Sequence, residues 1–416
     1  MEYAINTLDD FDYKGKVTLC RLDLNSPYDK DNNVLKDTTR IEAAIPTIKE
    51  LSGSGAKLVL LTHQGGDLEY QNYVSTKSHS AVISNLLGKS VKFIDDICGP
   101  AARDAVSNLA EGEILLLDNV RYMAEELTLF ETNLKLSAAE QAKTLIVSKL
   151  APLADLYVCD AFAAAHRDQP TLVGFEQLLP SAMGRLFEKE YKILSKIMSS
   201  PEKPSIFLLG GAKIEDAFDM MPKVIHDRIA DKILTSGLLA QVFMLAQGVD
   251  LGTASKEIIY KKKLDIFIDK ARGLLSSYKD KIIIPVDYAY SIEGKRIEVD
   301  AADFPISYAI SDIGSKTISK YKEEISKSKT IFINGPSGVF EKPESESGTK
   351  ELWTAVADSA AYSVIGGGDS VTAINKYYLK DKFSYICTGG GAMVRFLSGE
   401  ELPVVKALKE SALRFK

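Results

Sequence analysis

The sequence is poor in the residues that staple small folds together. Four cysteines stand in 416 residues, Cys20, Cys98, Cys159 and Cys387, and none belongs to a Cys-x-x-Cys pair. That argues against a zinc ribbon or disulfide framework and reads as reduced, packed thiols. Histidine is scarce, with four residues. His79 and His226 fall on amphipathic helices with no second metal ligand at helical spacing, so both read as packing or surface residues. The single tryptophan, Trp353, reads as core, as do Met220 and Met221. No apolar run approaches the ~20 residues that cross a bilayer. The first residues lack the basic stretch and apolar core of a signal peptide. A soluble, cytoplasmic protein with no membrane partner is expected. Positive charge is not in excess: 51 Lys and Arg face 57 Asp and Glu, a net charge of −6, which argues against a general nucleic-acid binder.

Three phosphate and kinase signatures are also missing. Gly88-Lys89-Ser90 lacks the glycine five residues earlier that a P-loop requires. No G-x-G-x-x-G opens the first strand–helix unit, which weighs against a nicotinamide-dependent dehydrogenase. His166-Arg167-Asp168 has Val173 where a protein-kinase catalytic loop requires Asn.

What is present is an alternation of short apolar runs with amphipathic segments. Apolar residues make up 45% of the chain, enough for large cores, and the length allows two to four domains at about 100–200 residues each. Strands are predicted at Val17–Leu24, Lys57–Thr62, Val91–Ile94, Ile114–Leu117 and Leu156–Cys159. Helical spacing runs through Thr39–Leu51, His79–Leu87, Ala101–Leu109 and Ser137–Leu150, the last opened by a Ser137/Glu140 capping box. Further strands are predicted at Ser205–Leu209, Lys232–Thr235, Lys281–Val286, Thr330–Ile333, Tyr362–Ile365 and Phe383–Cys387. This rhythm predicts an α/β fold of two doubly wound, Rossmann-like parallel-sheet domains. The division expected is 1–177 with a C-terminal helical segment 400–416, a connecting helix in 178–200 opened by Leu179-Pro180-Ser181, and 201–399.

In the first stretch, cationic residues recur at strand ends. Arg21, Asp23 and Asn25 end the first strand, Arg40 opens the next helix, and His63, Arg121, His166 and Arg167 each follow a strand. Singly, each arginine reads as a surface ion-pair residue. Jointly, on one sheet edge, they form a pocket for a small, multiply anionic ligand, because Arg binds phosphate or carboxylate bidentately. The second stretch carries glycine-rich turns after strands: Gly210-Gly211-Ala212-Lys213, Asn334-Gly335-Pro336-Ser337-Gly338-Val339-Phe340-Glu341, Gly366-Gly367-Gly368-Asp369-Ser370 and Gly389-Gly390-Gly391. One such turn is ordinary. Four in one domain point to phosphate or nucleotide binding at helix starts. Lys213 is then a point charge for a phosphate, and Asp369 a candidate ligand for Mg²⁺.

Taken in order, these motifs resemble the phosphoglycerate kinase family over essentially the whole chain. The matching stretches are Arg21-Leu-Asp23-Leu-Asn25, Asp37-Thr-Thr-Arg40, His63, Asn119-Val-Arg121, Asp160-Ala-Phe, Ala165-His166-Arg167 and Asp312-Ile-Gly-Ser-Lys-Thr, with the four glycine-rich turns. Thr235–Gly248 is most similar to the archaeal branch. The resemblance implies reversible phosphoryl transfer between 1,3-bisphosphoglycerate and ADP, with 3-phosphoglycerate on the first domain and ATP or ADP with Mg²⁺ on the second. It implies that Asp23 and Asn25 hold the substrate's hydroxyl and carboxyl end. Arg21, His63, Arg121, His166 and Arg167 would surround its phosphate, and Arg40 would lie nearest the transferred group. Gly211, Ala212, Lys213, Gly366, Gly367, Gly368, Ser370 and Gly390 would hold nucleotide phosphates. Asn334, Gly335, Pro336, Val339 and Glu341 would lie near the nucleoside, and Asp369 would ligate Mg²⁺. Hinge closure about the connecting helix is implied, in a monomer or small homo-oligomer.

Two positions depart from the family pattern. Gly66 stands where the family usually has Arg, so either a neighbour such as Lys77 compensates or substrate affinity is lower. Ala217 stands where a second Lys is usual. The alternatives are a non-catalytic sensor of phosphometabolites on the same fold, and a kinase for a different carboxylate.

Overall fold

The computed structural model of the chain describes residues 5–66 and 73–416; residues 1–4 and 67–72 of the predicted first domain lie outside the described residues. The chain forms two compact units. One holds the residues up to Lys192 together with Glu401–Lys416, and the other is Ile193–Glu400. The boundary falls within the helix Arg185–Ser199.

The first unit is built on six parallel strands: β1 (Val17–Arg21), β2 (Lys57–Leu61), β3 (Val91–Ile94), β4 (Ile114–Leu117), β5 (Leu156–Cys159) and β6 (Ser181–Met183). They lie in the order β3-β4-β2-β1-β5-β6. β4 and β5 are buried at every residue, which is why they read as unbroken apolar runs. Helices Thr39–Gly53 and Lys77–Leu87 pack Ile41, Ile48, Leu51 and Ile83 onto the sheet.

The second unit repeats the plan with β7 (Ser205–Leu209), β8 (Lys232–Thr235), β9 (Ile282–Ile283), β13 (Thr330–Asn334), β14 (Tyr362–Gly366) and β15 (Tyr385–Ile386). These six lie parallel in the order β9-β8-β7-β13-β14-β15. Between β9 and β13 the chain adds an antiparallel sheet of β10 (Asp287–Ile292), β11 (Lys295–Asp300) and β12 (Asp312–Ile313), in the order β11-β10-β12. In one sheet the order falls to β1 and turns upward at β5, and in the other it falls to β7 and turns upward at β13. Such switch points open crevices at the carboxyl ends of strands. No helix of the described residues is long and apolar enough to cross a membrane.

Three expectations are corrected. Ser137–Leu150 is not one helix but two, Ala138–Gln141 and Leu145–Leu150. Thr144 is extended and its hydroxyl donates to the Gln141 carbonyl at 2.6 Å. The second helix is capped from a distance by Glu125, whose carboxylate accepts from the Leu145 and Ile146 N–H groups at 3.0 and 2.6 Å. Leu179-Pro180-Ser181 does not open the connecting helix: Ser181–Met183 pairs with β5 as a sixth strand, and the helix starts at Arg185. The strand predicted over Lys281–Val286 stops at Ile283. The Val286 and Asp287 N–H groups turn instead to the Thr317 hydroxyl as the chain enters β10.

Candidate active site

The switch point of the first sheet gathers charged side chains from separate elements. Arg21 ends β1 and is 1% exposed. Its Nε donates to Thr171 Oγ1 at 2.9 Å, Nη1 donates to the Leu22 carbonyl, and Nη2 lies 3.3 Å from His63 Nδ1. His63 follows β2, and its Nε2 faces Asp23 Oδ1 at 4.0 Å. Asp23 Oδ2 is paired with Arg40 Nη1 at 2.7 Å, while Oδ1 accepts from the Asn25 N–H. Burial pushes the Asp23 carboxyl up, but the guanidiniums of Arg40 and Arg21 and the His63 ring outweigh it and hold the group at about 2. Burial pushes the His63 ring well below its ordinary value, and Arg121, Arg21 and Arg40 reinforce this against the opposing pull of Asp23. At neutral pH the site therefore presents an ionised Asp23 and an uncharged imidazole.

Two amides, Gln64 and Asn119, fix the loops that carry these groups. Gln64 Oε1 accepts from the Ser26 N–H at 3.0 Å, and its Nε2 donates to the Ser26 carbonyl at 2.8 Å. The same Oε1 lies 3.0 Å from His79 Nε2, so His79 is a buried packing residue that props the loop. Asn119 accepts from the Gln64 and Arg121 N–H groups at 3.1 Å each and donates to the Gln64 carbonyl at 2.7 Å. Arg121 Nη1 donates to the Gly65 carbonyl, and Asn25 Oδ1 accepts from the Gly65 N–H at 3.0 Å. Arg21, Asp23, Asn25, Arg40 and His63 are thus joined to one another, and Arg121 joins them through Gly65. Arg167, beyond β5, leans on Thr128 and Glu131 at 3.4 and 3.9 Å, and half-buried His166 stands beside it. Gly66 is exposed, and nothing described lies within 4 Å of where its Cβ would stand.

The switch point of the second sheet is made of backbone. The Gly210 N–H donates to the Asn334 carbonyl at 2.9 Å and the Gly211 N–H to the Pro336 carbonyl at 2.7 Å, locking the turns after β7 and β13 together. Gly335 has φ +86°, and a Cβ there would stand 2.4 Å from the Gly210 carbonyl oxygen. Only glycine meets both conditions. The Gly335 N–H also donates to Ser370 Oγ at 3.1 Å, which ties in the turn after β14.

Two cavities flank this knot. The smaller, about 100 Å³, is lined by Gly210–Lys213, Asn334, Gly335, Gly367–Ser370, Gly390, Gly391 and Asp216. Three helices start at its wall, Ile214–His226, Gly368–Lys376 and Gly390–Leu397. Helix starts with open N–H groups favour anions. The larger cavity, about 270 Å³, adds apolar surface from Leu238, Ile258, Ile313, Pro336 and Val339, with Glu341 and Lys262. Gly211, Ala212 and Asp369 line both. One space of phosphate size opening beside one of nucleoside size is the arrangement a nucleoside polyphosphate requires.

The sequence reading had not singled out Asp216, Gln241 or Tyr288. Burial raises the Asp216 carboxyl, with Glu215 and Asp219 adding to the effect and Lys213 opposing it. Gln241 was visible as the lone polar residue inside the apolar helix Gly237–Ala246. Tyr288 comes from the antiparallel sheet, which supplies one wall of the larger cavity. Ala217, at the second departure from the family pattern, is buried on the helix that begins beside Lys213.

Residues 8–400 match the family model described as "Phosphoglycerate kinase". The chain belongs to the phosphoglycerate kinase family. It is 45% identical to the phosphoglycerate kinase of Methanothermus fervidus, over 99% of this chain and 98% of that one. It is 44% identical to that of Thermococcus kodakarensis, over 98% of each. The crystal structure of phosphoglycerate kinase from Pyrococcus horikoshii OT3 superposes with a TM-score of 0.88 at 41% identity, covering 99% of this chain and 100% of that one. These relatives are archaeal, in line with the branch to which Thr235–Gly248 points.

Proposed function

We infer that the chain catalyses reversible phosphoryl transfer between 1,3-bisphosphoglycerate and ADP, giving 3-phosphoglycerate and ATP. The observation that carries this reading is that one chain holds both half-sites. A cluster of arginines around a neutral histidine and an ionised carboxylate sits on one sheet, and a backbone cradle opening into a nucleoside-sized cavity sits on the other.

3-Phosphoglycerate is assigned to the first cluster. Asp23 and Asn25 take its hydroxyl and carboxyl end, and His63, Arg121, His166 and Arg167 its phosphate. Arg21, already engaged with Thr171, Leu22 and His63, acts through His63. Arg40 meets the transferred group. On the second sheet, Gly211, Ala212, Lys213, Gly366, Gly367, Gly368, Ser370 and Gly390 take the nucleotide phosphates. Pro336 and Val339 shape the nucleoside site, with Glu341 on the ribose, while Asn334 and Gly335, expected near the nucleoside, line the smaller cavity instead.

The residues fit Mg²⁺. Exposed Asp369 stands in the first turn of a helix lining the small cavity. Among the described residues no group of three or more His, Cys, Asp or Glu could hold a metal. One carboxylate beside bound phosphates suits a cation that keeps its waters and phosphate oxygens. When bound, Mg²⁺ neutralises charge on the phosphate oxygens.

The nucleophile is already an anion in either direction, so no general base is needed, and the cluster supplies none: His63 is neutral because of burial, not because it awaits a proton. The chain's own contribution is in-line positioning and preorganised positive charge from Arg40, Lys213 and the helix starts. Closure about the helix Arg185–Ser199, excluding water, belongs to this reading, as does action in the cytoplasm.

A coupled assay of ATP-dependent 3-phosphoglycerate conversion with Mg²⁺, scanned in substrate concentration, tests it. Turnover with a raised KM supports the kinase and charges the cost to Gly66. Nucleotide binding without turnover favours a sensor or a different carboxylate substrate.

A further inference from the structure

We propose that Glu126 and Thr171, acting through Arg21, are positioning residues that fix the His63 imidazole as the tautomer protonated at Nε2, the nitrogen facing the substrate cluster. This rests on the reading that the first unit holds an anionic substrate. The contacts run in series from Glu126 through Thr171 and Arg21 to His63.

A guanidinium only donates. Arg21 Nη2 lies 3.3 Å from His63 Nδ1, so Nδ1 must be the bare nitrogen and the proton must sit on Nε2. Arg21 is held in that pose by its Nε, which donates to Thr171 Oγ1 at 2.9 Å. Having accepted from Arg21, the Thr171 hydroxyl sends its own proton to Glu126 Oε2 at 2.8 Å. The Thr171 N–H donates to Glu126 Oε1 at 2.7 Å. Both Thr171 groups donate to Glu126, which is 0% exposed. Burial raises its pKa while Arg21 and Thr171 oppose the rise. At the other end, His63 Nε2 faces Asp23 Oδ1 at 4.0 Å, and Asp23 carries Arg40 at 2.7 Å.

The consequence is polarity. A neutral imidazole has one proton to place. With Nε2–H outward, His63 offers a donor to an anionic oxygen entering between it and Asp23, whose Oδ1 stands 4.0 Å away. With Nδ1–H, it would set one N–H against that of Arg21 and turn a bare lone pair toward anions. Glu126 thus sets, through Thr171 and Arg21, which face of the ring the ligand meets.

The replacement Glu126→Gln puts an amide N–H₂ against Thr171. If it faces Oγ1, the hydroxyl must accept from it as well as from Arg21 and loses the acceptor that fixed its own proton. Thr171→Val removes the hydroxyl at nearly constant volume. Long-range ¹H–¹⁵N spectra of the ring report the tautomer directly, with the His63 signals assigned by their loss in His63→Asn. The wild-type protein should show Nε2–H alone. Glu126→Gln and Thr171→Val should show mixed tautomers and a KM for 3-phosphoglycerate raised about tenfold, the scale of one hydrogen bond, with the KM for ATP unchanged. Thr171→Ser should restore both.

A wild-type spectrum showing Nδ1–H overturns the proposal without any variant. So does a raised KM with the tautomer unaltered, which would mark Glu126 and Thr171 as merely structural. A correct tautomer shift in a protein that does not turn over 3-phosphoglycerate leaves the positioning chain standing and removes the substrate reading.

Discussion

Replacing Arg40 with Ala separates the two half-sites most sharply. Arg40 contributes the 2.7 Å ion pair to Asp23, whose side chain is only 9% exposed. It stands first among the partners that lower the Asp23 carboxyl from 3.8 to about 2. A depression of that size, at about 1.4 kcal/mol per pKa unit, amounts to about 2 kcal/mol of stability, with Arg40 the largest single contributor. The sign follows from the direction: a carboxyl depressed in the folded state stabilises above its unfolded pKa and loses that contribution as pH falls through the folded value. Arg40→Ala should therefore be about 1 kcal/mol less stable than wild type at pH 7, with the gap constant above pH 5 and closing toward pH 2. Turnover should fall by about 10²–10³, the scale for one preorganised donor at a developing charge. Nucleotide affinity should not change, because Arg40 lies in the first unit and both glycine-lined cavities lie in the second. Coupled-assay kinetics, calorimetric titration with ADP and thermal melts across pH give the three readouts. Nucleotide affinity falling in step with turnover would refute the division of labour, and a loss of less than about tenfold would remove Arg40 from the transferred group.

Gly66→Arg should lower the KM for 3-phosphoglycerate about tenfold by adding one charge-assisted bond, since no described residue stands within 4 Å of a Cβ there. An unchanged KM would point to Lys77 as the compensating cation, which Lys77→Ala then tests. Gly335→Ala should cost ~1–3 kcal/mol in a melt, from the left-handed backbone and the 2.4 Å approach to Gly210, and should weaken ADP binding with it. Loss of stability with full nucleotide affinity would mean that the knotted turns are not the phosphate cradle. Asp160 is buried, accepts from the Phe187 N–H at 2.9 Å, and is pushed up to about 7 by that burial. Its raised pKa means the folded state holds the proton more tightly, so stability from this group falls as pH rises from about 4 to about 7. Asp160→Asn should flatten that slope in melts between pH 4 and 8. An unchanged slope would show that Asp160 is ionised throughout.

Much of the parallel framework was legible because its strands are buried on both faces: Ile114–Leu117 and Ser205–Leu209 match the predicted spans. The strand Ser181–Met183 was hidden because Pro180 is an equally good helix opener. The antiparallel sheet was hidden because Lys295–Asp300 is mostly charged and Asp287–Ile292 holds only the short apolar run Tyr288–Tyr290. At the site, the charged groups announced themselves by recurring after strands, but their supports did not. Arg21 meets Thr171 across 150 residues, Gln64 meets Asn119 across 55 and Glu126 meets Thr171 across 45. Neither periodicity nor local spacing reports pairs brought together only by the sheet order.

The last helix, Pro403–Arg414, belongs to the first unit. Its Val404 N–H donates to the Ala165 carbonyl at 3.3 Å, one residue before His166. Ser411 Oγ donates to the Leu179 carbonyl at 3.2 Å, and Arg414 to the Glu176 carbonyl at 3.0 Å. On the ribosome, where chains emerge N-terminus first, the second unit is complete in sequence before the first one is. The segment carrying His166 and Arg167 must therefore wait, partly uncovered, until Pro403–Arg414 leaves the exit tunnel. Chains cut short by a dozen residues would keep an intact nucleotide cradle and an unfinished anion site.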